Sequence, residues 1–336
     1  VNDPLAKTEI ADTKVQVTRL GLGGAALGGM YVDTTDEQCQ EVVQRALDLG
    51  INFFDTAPLY GMGKSEFRIG YALQHVPRDQ YVLCSKVGRV LVPDDEYPDL
   101  ETIWDQPLPF KPEFDFSRAG IMESFHSSLE RLQVDSLDIA LIHDPDDHYE
   151  QAVAEAYPAL LELKAQGLVK AIGAGMNQTE MLVRFAAEID VDVFLLAGRY
   201  TLLDQQALDE FFPIVTEKST SVILGGTYNS GILAGGDTYD YQQASAEIIN
   251  HVLQLRNLAD VFEVDLRAAA NQFCLAHPAV SGIIPSTIDP EQVRENLQLC
   301  RQVIPDSFWQ ELRKRDLVHP DAPLPIDEKL QDKYAN

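Results

Sequence analysis

Short apolar runs alternate along the chain with longer segments whose apolar residues recur at helical spacing, which predicts strands separated by amphipathic helices. Leu20 to Gly24 reads as a first strand. Thr35, Asp36, Glu37 and Gln38 then form a Thr-x-x-Gln capping box. The helix behind it sets Val42, Val43, Ala46 and Leu47 on one face, and Gly50 ends it. Asn52 to Asp55 is a second strand, Ser65 to Leu73 a helix, and Tyr81 to Lys86 a third strand. Val87 to Ser117 breaks the rhythm. It is rich in Pro, Asp and aromatic residues, and about 30 residues without periodicity suggest a functional loop. A helix over Arg118 to Leu132, a strand over Leu137 to His143 and a helix ending at Gly167 follow. Val169 to Ala174 is strand five, Glu180 to Glu188 a helix, Val193 to Ala197 strand six and Ser221 to Gly226 strand seven. Two helical stretches lead to strand eight, Gly282 to Pro285, and Pro290 stands in the first turn of the last helix.

Eight strands, each followed by a helix, predict a closed (β/α)8 TIM barrel. One α/β domain is expected over residues 1–336, with its barrel core at about 18–300. A short N-terminal extension, long loops at the C-terminal face and a C-terminal tail over 301–336 complete it. An open doubly wound sheet is the alternative. Against it, Gly21-Leu22-Gly23-Gly24 lacks the G-x-G-x-x-G spacing, and no convincing acidic residue follows at the usual interval. These glycines instead suit close approach of a ligand to the backbone.

Composition narrows the partners. The chain of 336 residues has 53 Asp plus Glu against 26 Lys plus Arg, a formal net charge of -27. Such a surface repels nucleic acid and anionic membranes, which leaves a small-molecule substrate as the expected partner. Its acidity fits either a salt-adapted protein or an acidic cytosolic enzyme. Cys39, Cys84, Cys274 and Cys300 show neither CxxC spacing nor a pairing rhythm, so neither zinc nor a disulfide framework is expected. Val1 to Leu20 lacks the basic and apolar regions of a signal peptide, and no apolar run approaches about 18 residues. A cytoplasmic location is expected.

Chemistry in such a barrel gathers at the C-terminal strand ends. There lie Asp55 after strand two, Lys86 closing strand three and His143 closing strand four, with Tyr60 in the loop after Asp55. Each alone has a plain structural reading, as a solvated lysine, a turn cap or a packed ring. Together on one rim they form a candidate proton-handling group. Asp55-Thr56-Ala57-x-x-Tyr60-Gly61, Ser85-Lys86 and Ile142-His143-Asp144 resemble the catalytic segments of the aldo-keto reductases. The resemblance runs through nearly the whole chain, including Ile172-Gly173, Arg199 to Asp204 and Ile284-Pro285 to Glu295-Asn296. Within the family, three segments narrow the resemblance: the Asp-Pro-Asp after His143, Ala197 to Tyr200 and Asn229-Ser230-Gly231. They are similar to the aldose 1-dehydrogenase branch, of the L-fucose or D-threo-aldose type, which pyridoxal 4-dehydrogenase resembles.

That resemblance implies a nicotinamide-dependent oxidoreductase with Asp55, Tyr60, Lys86 and His143 as its catalytic group. Free tyrosine has a pKa of about 10, and Lys86 is expected to lower that of Tyr60 by stabilising the phenolate. Asp55 would orient Lys86, and His143 would hold the substrate oxygen. The implied activity is oxidation of an aldose at its C1 hydroxyl to a lactone. Oxidation of pyridoxal, NADPH-dependent aldehyde reduction and a cofactor-binding regulatory role are the alternatives, the last disfavoured by the intact group of four. Where the family often carries Pro-Lys-Ser and a following Arg to grip the NADP 2'-phosphate, this chain has Ser286, Thr287 and Gln292, which favours NAD and leaves NADP possible through Arg294. Glu295 and Asn296 match the adenine-contacting pair. Asn177 stands for the usual contact after strand five, and Gly23 and Asp55 for close approach to the cofactor. Ala197 and Gly225 replace the usual carboxamide-binding Gln and stacking ring, so Tyr228 is expected to supply a ring from a shifted position. Asn229, Ser230, Gly231 and Leu233 either follow the pyrophosphate or form a glycine-rich surface turn. Tyr60, His143, Asp144 and Trp104 are the expected substrate contacts, with Asp146 and Asp147 read as a solvated loop and Phe110 as a further candidate cover for the pocket.

Overall fold

The computed structural model describes residues 3–97 and 102–327. Eight strands form one parallel sheet: β1 (Leu22–Gly23), β2 (Phe53–Asp55), β3 (Val82–Val87), β4 (Leu137–His143), β5 (Val169–Met176), β6 (Val193–Ala197), β7 (Ser221–Gly225) and β8 (Val280–Ile283). They lie side by side in chain order. Parallel bridges Leu20↔Ile283 and Gly23↔Ser286 join the last strand to the first, so the sheet closes into the expected barrel.

Strand alternation builds two apolar layers. Phe53, Val82, Cys84, Ile139 and Leu141 point inward and pack together. Phe54, Leu83, Ala140 and Ile142 point outward beneath the helices. The same period of two carries Asp55, Lys86 and His143 to the inward side at the C-terminal strand ends, because each follows an inward residue by two positions. Helices α1 (Asp36–Asp48), α2 (Lys64–Leu73), α3 (Arg118–Leu132), α4 (Tyr157–Ala165), α5 (Glu180–Glu188), α6 (Phe211–Glu217), α7 (Ala246–Val261), α8 (Leu266–Ala276) and α9 (Pro290–Arg301) surround the sheet. Thr35 caps α1 by accepting from the Gln38 N–H at 3.1 Å. The reciprocal half of the capping box is absent, because the Gln38 side chain donates instead to the Ile288 carbonyl at 2.9 Å.

Several expectations are corrected. The N-terminal extension is an antiparallel hairpin, Lys7–Glu9 with Gln16–Thr18. Ile10, Val15 and Val17 of this region pack against the inward barrel residues and form one apolar cluster with them. The segment Val87 to Ser117 contains a second hairpin, Arg89–Pro93 with Phe110–Phe114. Alternation there is hidden by Pro93 and Pro112 and by the long connection between the strands. Strand eight begins and ends earlier than expected, because Ile284 to Ser286 already belong to the turn that closes the barrel. The helix opened by Pro290 is not the last: α10 (Asp306–Lys314) follows within the expected tail and buries Phe308, Trp309 and Leu312. The end of that tail, 328–336, lies outside the described residues. All four cysteines are buried thiols. No helix among the described residues is long and apolar enough to cross a membrane.

Candidate active site

Asp55, Lys86 and His143 converge inside the barrel mouth, buried at 1%, 1% and 5% exposure. Lys86 Nζ donates to both Asp55 carboxylate oxygens at 2.9 Å, to the Thr56 carbonyl at 2.8 Å and to Tyr60 Oη at 3.1 Å. Three acceptors besides the phenol satisfy a charge that burial would otherwise make costly. Burial works against the ammonium, yet Asp55 above all, with Tyr60, raises the Lys86 pKa beyond the ordinary lysine range. It therefore stays cationic.

Tyr60 arrives from the loop after β2, and two glycines place it. A side chain at Gly28 would begin 2.5 Å from the Tyr60 carbonyl carbon, and one at Gly61 would strike the Gly28 carbonyl. Gly61 also holds a φ of 64°, which a side chain disfavours. The backbones of the β1 and β2 loops thus lie directly against each other, a requirement that no sequence motif announced.

Lys86 pulls the Tyr60 pKa down as expected, but the net shift is upward. Burial raises it and outweighs the pull of the Lys86 ammonium, so the resting group is a phenol. Burial likewise pushes the His143 pKa well below the ordinary value, helped by the positive charges of Arg89 and Lys86, so its imidazole is neutral. The His143 ring meets the Tyr60 ring edge-on at 6.1 Å between centroids. His143 Nε2 lies 3.4 Å from Asp144 Oδ2, and the same oxygen accepts from the Arg89 guanidinium at 2.7 Å.

These groups open onto a cavity of about 590 Å³, the size of site that takes a small ligand. Its wall includes Tyr60, Trp104, His143 and Asp144, the four residues read from the sequence as candidate substrate contacts. Trp104 stacks obliquely on Tyr60 with centroids 5.6 Å apart. Tyr31, Ile103, Asp240 and Tyr241 also line it and were not anticipated. Tyr31 and Ile103 come from loops, and Asp240 and Tyr241 form the turn of a short hairpin, Thr238–Tyr239 with Gln242–Gln243; none carries a periodic signal. Phe110 does not line it, because its hairpin strand lies outside the mouth. Asp146 and Asp147 do not reach it either, and Asp146 accepts from the Gln178 amide at 2.7 Å.

Of the expected cofactor contacts, Gly23, Asp55, Asn177, Tyr228, Asn229, Ser230, Gly231 and Ser286 line the cavity. Leu233, Thr287, Gln292, Glu295 and Asn296 do not. The short turn Ile232–Ala234 turns Leu233 into the apolar layer. Thr287 donates to Gln292 Oε1 at 2.6 Å. Glu295 pairs with Arg267 at 2.9 Å, and Asn296 accepts from the Tyr228 hydroxyl at 2.8 Å. Asn271 donates to that hydroxyl at 2.8 Å, so the Tyr228 ring is fixed from behind. The cradle suits a dinucleotide. Asn229, Ser230 and Gly231 hold φ values of 45°, 55° and 99°. Among the described residues, the N–H groups of Gly226, Thr227, Tyr228 and Ser230 meet no protein acceptor. Such a left-handed turn with spare donors is what an oligophosphate needs.

The model of the aldo/keto reductase family matches residues 19–316. The chain belongs to that family. Pyridoxal 4-dehydrogenase of Microbacterium luteolum is 37% identical over 335 residues, covering 93% of this chain and 98% of that protein. D-threo-aldose 1-dehydrogenase of a Pseudomonas species is 36% identical over 312 residues, covering 90% and 95%. The structure of an aldo-keto reductase from Bacillus halodurans in its holo form superposes with a TM-score of 0.76 at 23% identity, covering 96% of this chain and 99% of that one. Family membership makes the protein an oxidoreductase.

Proposed function

We propose that this protein is an NAD-dependent dehydrogenase that oxidises the C1 hydroxyl of an aldose in its ring form to the lactone. The observation that carries this reading is Lys86 Nζ, clamped by Asp55 and set 3.1 Å from Tyr60 Oη at the floor of the cavity. A nicotinamide, when bound, supplies the two-electron acceptor for the hydride at C1. Proton handling falls to the chain. Tyr60 Oη, as a phenolate stabilised by Lys86, takes the hydroxyl proton, and neutral His143 holds the substrate oxygen by a hydrogen bond. In reduction, the Tyr60 phenol returns that proton to the carbonyl oxygen. Trp104 offers an apolar wall to the C–H face of a sugar ring, and Asp144 offers an acceptor to a neighbouring hydroxyl.

Residues 226–231, with Asn177 and Ser286, would hold the cofactor. The charge pattern around Ser286 favours NAD. Arg294 is paired with Glu291 at 2.6 Å, and Arg267 with Asp265 at 2.7 Å and Glu295 at 2.9 Å. A 2'-phosphate entering there would compete with carboxylates for each cation.

The aromatic lining of Tyr31, Tyr60, Trp104 and Tyr241 favours pyridoxal as a second substrate reading. Its aldehyde and adjacent hydroxymethyl group close into a cyclic hemiacetal, so its oxidation is chemically the same step. A spectrophotometric screen that follows the nicotinamide tests both readings, with NAD or NADP against aldoses and pyridoxal and with NADH or NADPH against simple aldehydes. Aldose turnover with NAD is expected. Turnover confined to pyridoxal replaces the sugar reading, and turnover confined to reduction of simple aldehydes overturns both.

A further inference from the structure

We propose that Arg89, which does not reach the cavity, is a positioning residue that fixes the Asp144 carboxylate beside His143 as the acceptor for the substrate hydroxyl next to the reacting carbon. This rests on the reading of the substrate as a polyhydroxylated ring.

Asp144 directly follows the catalytic-site histidine, lines the cavity and is only partly exposed. Its backbone holds a φ of 43°, and its N–H donates to the Gly175 carbonyl at 3.0 Å. Both features turn the side chain back over the barrel mouth instead of along the outward chain. A carboxylate so placed needs a cation, and Arg89 supplies it. The guanidinium donates to Asp144 Oδ2 at 2.7 Å, and its carbon stacks 4.4 Å from the Phe114 ring centroid. Phe114 belongs to the strand paired with that of Arg89, across the register pair Arg89↔Phe114. The hairpin after β3 thus brackets the arginine between Phe114 and Asp144. Oδ2 accepts from Arg89 and lies 3.4 Å from His143 Nε2, while Oδ1 has no protein partner among the described residues. A charged acceptor beside the oxygen-binding histidine suits a hydroxyl one carbon away from the reacting centre.

The charges meeting at this point are Arg89, Asp144 and Lys86, with Asp55 behind Lys86. Tyr60, Tyr241 and Asp146 are the further titratable groups that face it. Burial raises the Asp144 pKa and Arg89 opposes that rise. Arg89 also holds the His143 pKa down. Removing Arg89 therefore lets Asp144 protonate at higher pH and lets His143 titrate at higher pH.

The test compares the wild type, Arg89→Met and Arg89→Lys with NAD. Substrates are an aldose and its 2-deoxy counterpart, and the His143 ring titration is followed by NMR on each protein. In Arg89→Met, the KM for the aldose should rise about tenfold while that for the 2-deoxy sugar changes less than about twofold. The His143 titration should move to higher pH. Arg89→Lys should restore most of both effects, since it keeps the charge. An equal KM change for the two sugars, or an unmoved His143 titration, overturns the assignment. If the wild type turns over no aldose, the substrate reading falls by itself. The titration then decides alone: a shift upholds the bracket by Arg89, and none refutes it.

Discussion

Lys86 Nζ sits equidistant, at 2.9 Å, from the two carboxylate oxygens of Asp55, with both side chains 2% exposed. A buried ion pair is costly to form and costlier to break from one side. Asp55→Asn should therefore lose about 3–5 kcal/mol of stability, because it leaves the Lys86 ammonium buried without its counter-charge. Removing the charge as well, in Asp55→Asn with Lys86→Met, should recover part of that loss. Denaturant midpoints of the two variants check this. A double variant no more stable than Asp55→Asn alone would count against the pair as the source.

Tyr60→Phe keeps the ring that faces Trp104 and removes only the oxygen that Lys86 approaches. Turnover should fall by about 10²–10⁴. Binding of NADH, followed by its fluorescence, should stay within about twofold of the wild type. Retained turnover would remove Tyr60 from its assigned role.

Asp55, Lys86 and His143 were legible in the sequence because each closes a short apolar run that reads as a strand, at the end where the chemistry of such a barrel gathers. Tyr60 lies in a loop, where periodicity says nothing, and only the likeness to the family's segments pointed to it. The contact between Gly28 and Gly61 was not legible, since it joins two loops by backbone alone. Arg89 was missed for a related reason: it stands in a hairpin whose alternation is masked by prolines and a long connection. Thr287, Gln292, Glu295 and Asn296 were placed by motif, which does not reveal that their side chains are already engaged by one another, Arg267 and Tyr228.

The pH dependence follows from the two buried neighbours of Lys86. Burial raises the Tyr60 pKa, so the phenolate needed for oxidation becomes more populated as pH rises. Oxidation should climb from about pH 7 to beyond about pH 9, while reduction, which uses the phenol, should stay flat there. Rate profiles in both directions check this, and an oxidative plateau beginning near neutrality would contradict it. His143 acts on stability instead. Its folded pKa lies well below the unfolded value of about 6.5. The unfolded state therefore binds the proton first as pH falls, and stability should drop below about pH 6.5. That loss should be smaller in His143→Gln.

Gly61→Ala should disturb Tyr60 without touching its side chain. The residue holds a φ of 64°, and the new methyl group would strike the Gly28 carbonyl. A stability loss of at least about 2 kcal/mol is expected, together with a fall in kcat larger than any change in cofactor affinity. Thermal melts and steady-state kinetics read the two effects separately. Unchanged kcat would mean that the loop contact does not set the phenol.

The proposed preference for NAD can be tested by supplying the cations that the segment after β8 lacks. Gln292 is exposed and its side chain accepts from the Thr287 hydroxyl, so Gln292→Arg adds a guanidinium at small structural cost. It should tighten NADP binding about tenfold, with little effect on NAD. Ser286→Lys is a different matter. The Ser286 hydroxyl donates to the Gly23 carbonyl and accepts from the Ala26 N–H, both at 2.8 Å, across the seam where β8 meets β1. Replacing it should cost about 1–2 kcal/mol of stability through the lost hydrogen bonds, even as it adds a positive charge. The double variant should therefore bind NADP most tightly and melt earliest. Dissociation constants for NAD and NADP, set beside melting temperatures, separate these effects. An NADP affinity unmoved by Gln292→Arg would show that the 2' position lies elsewhere.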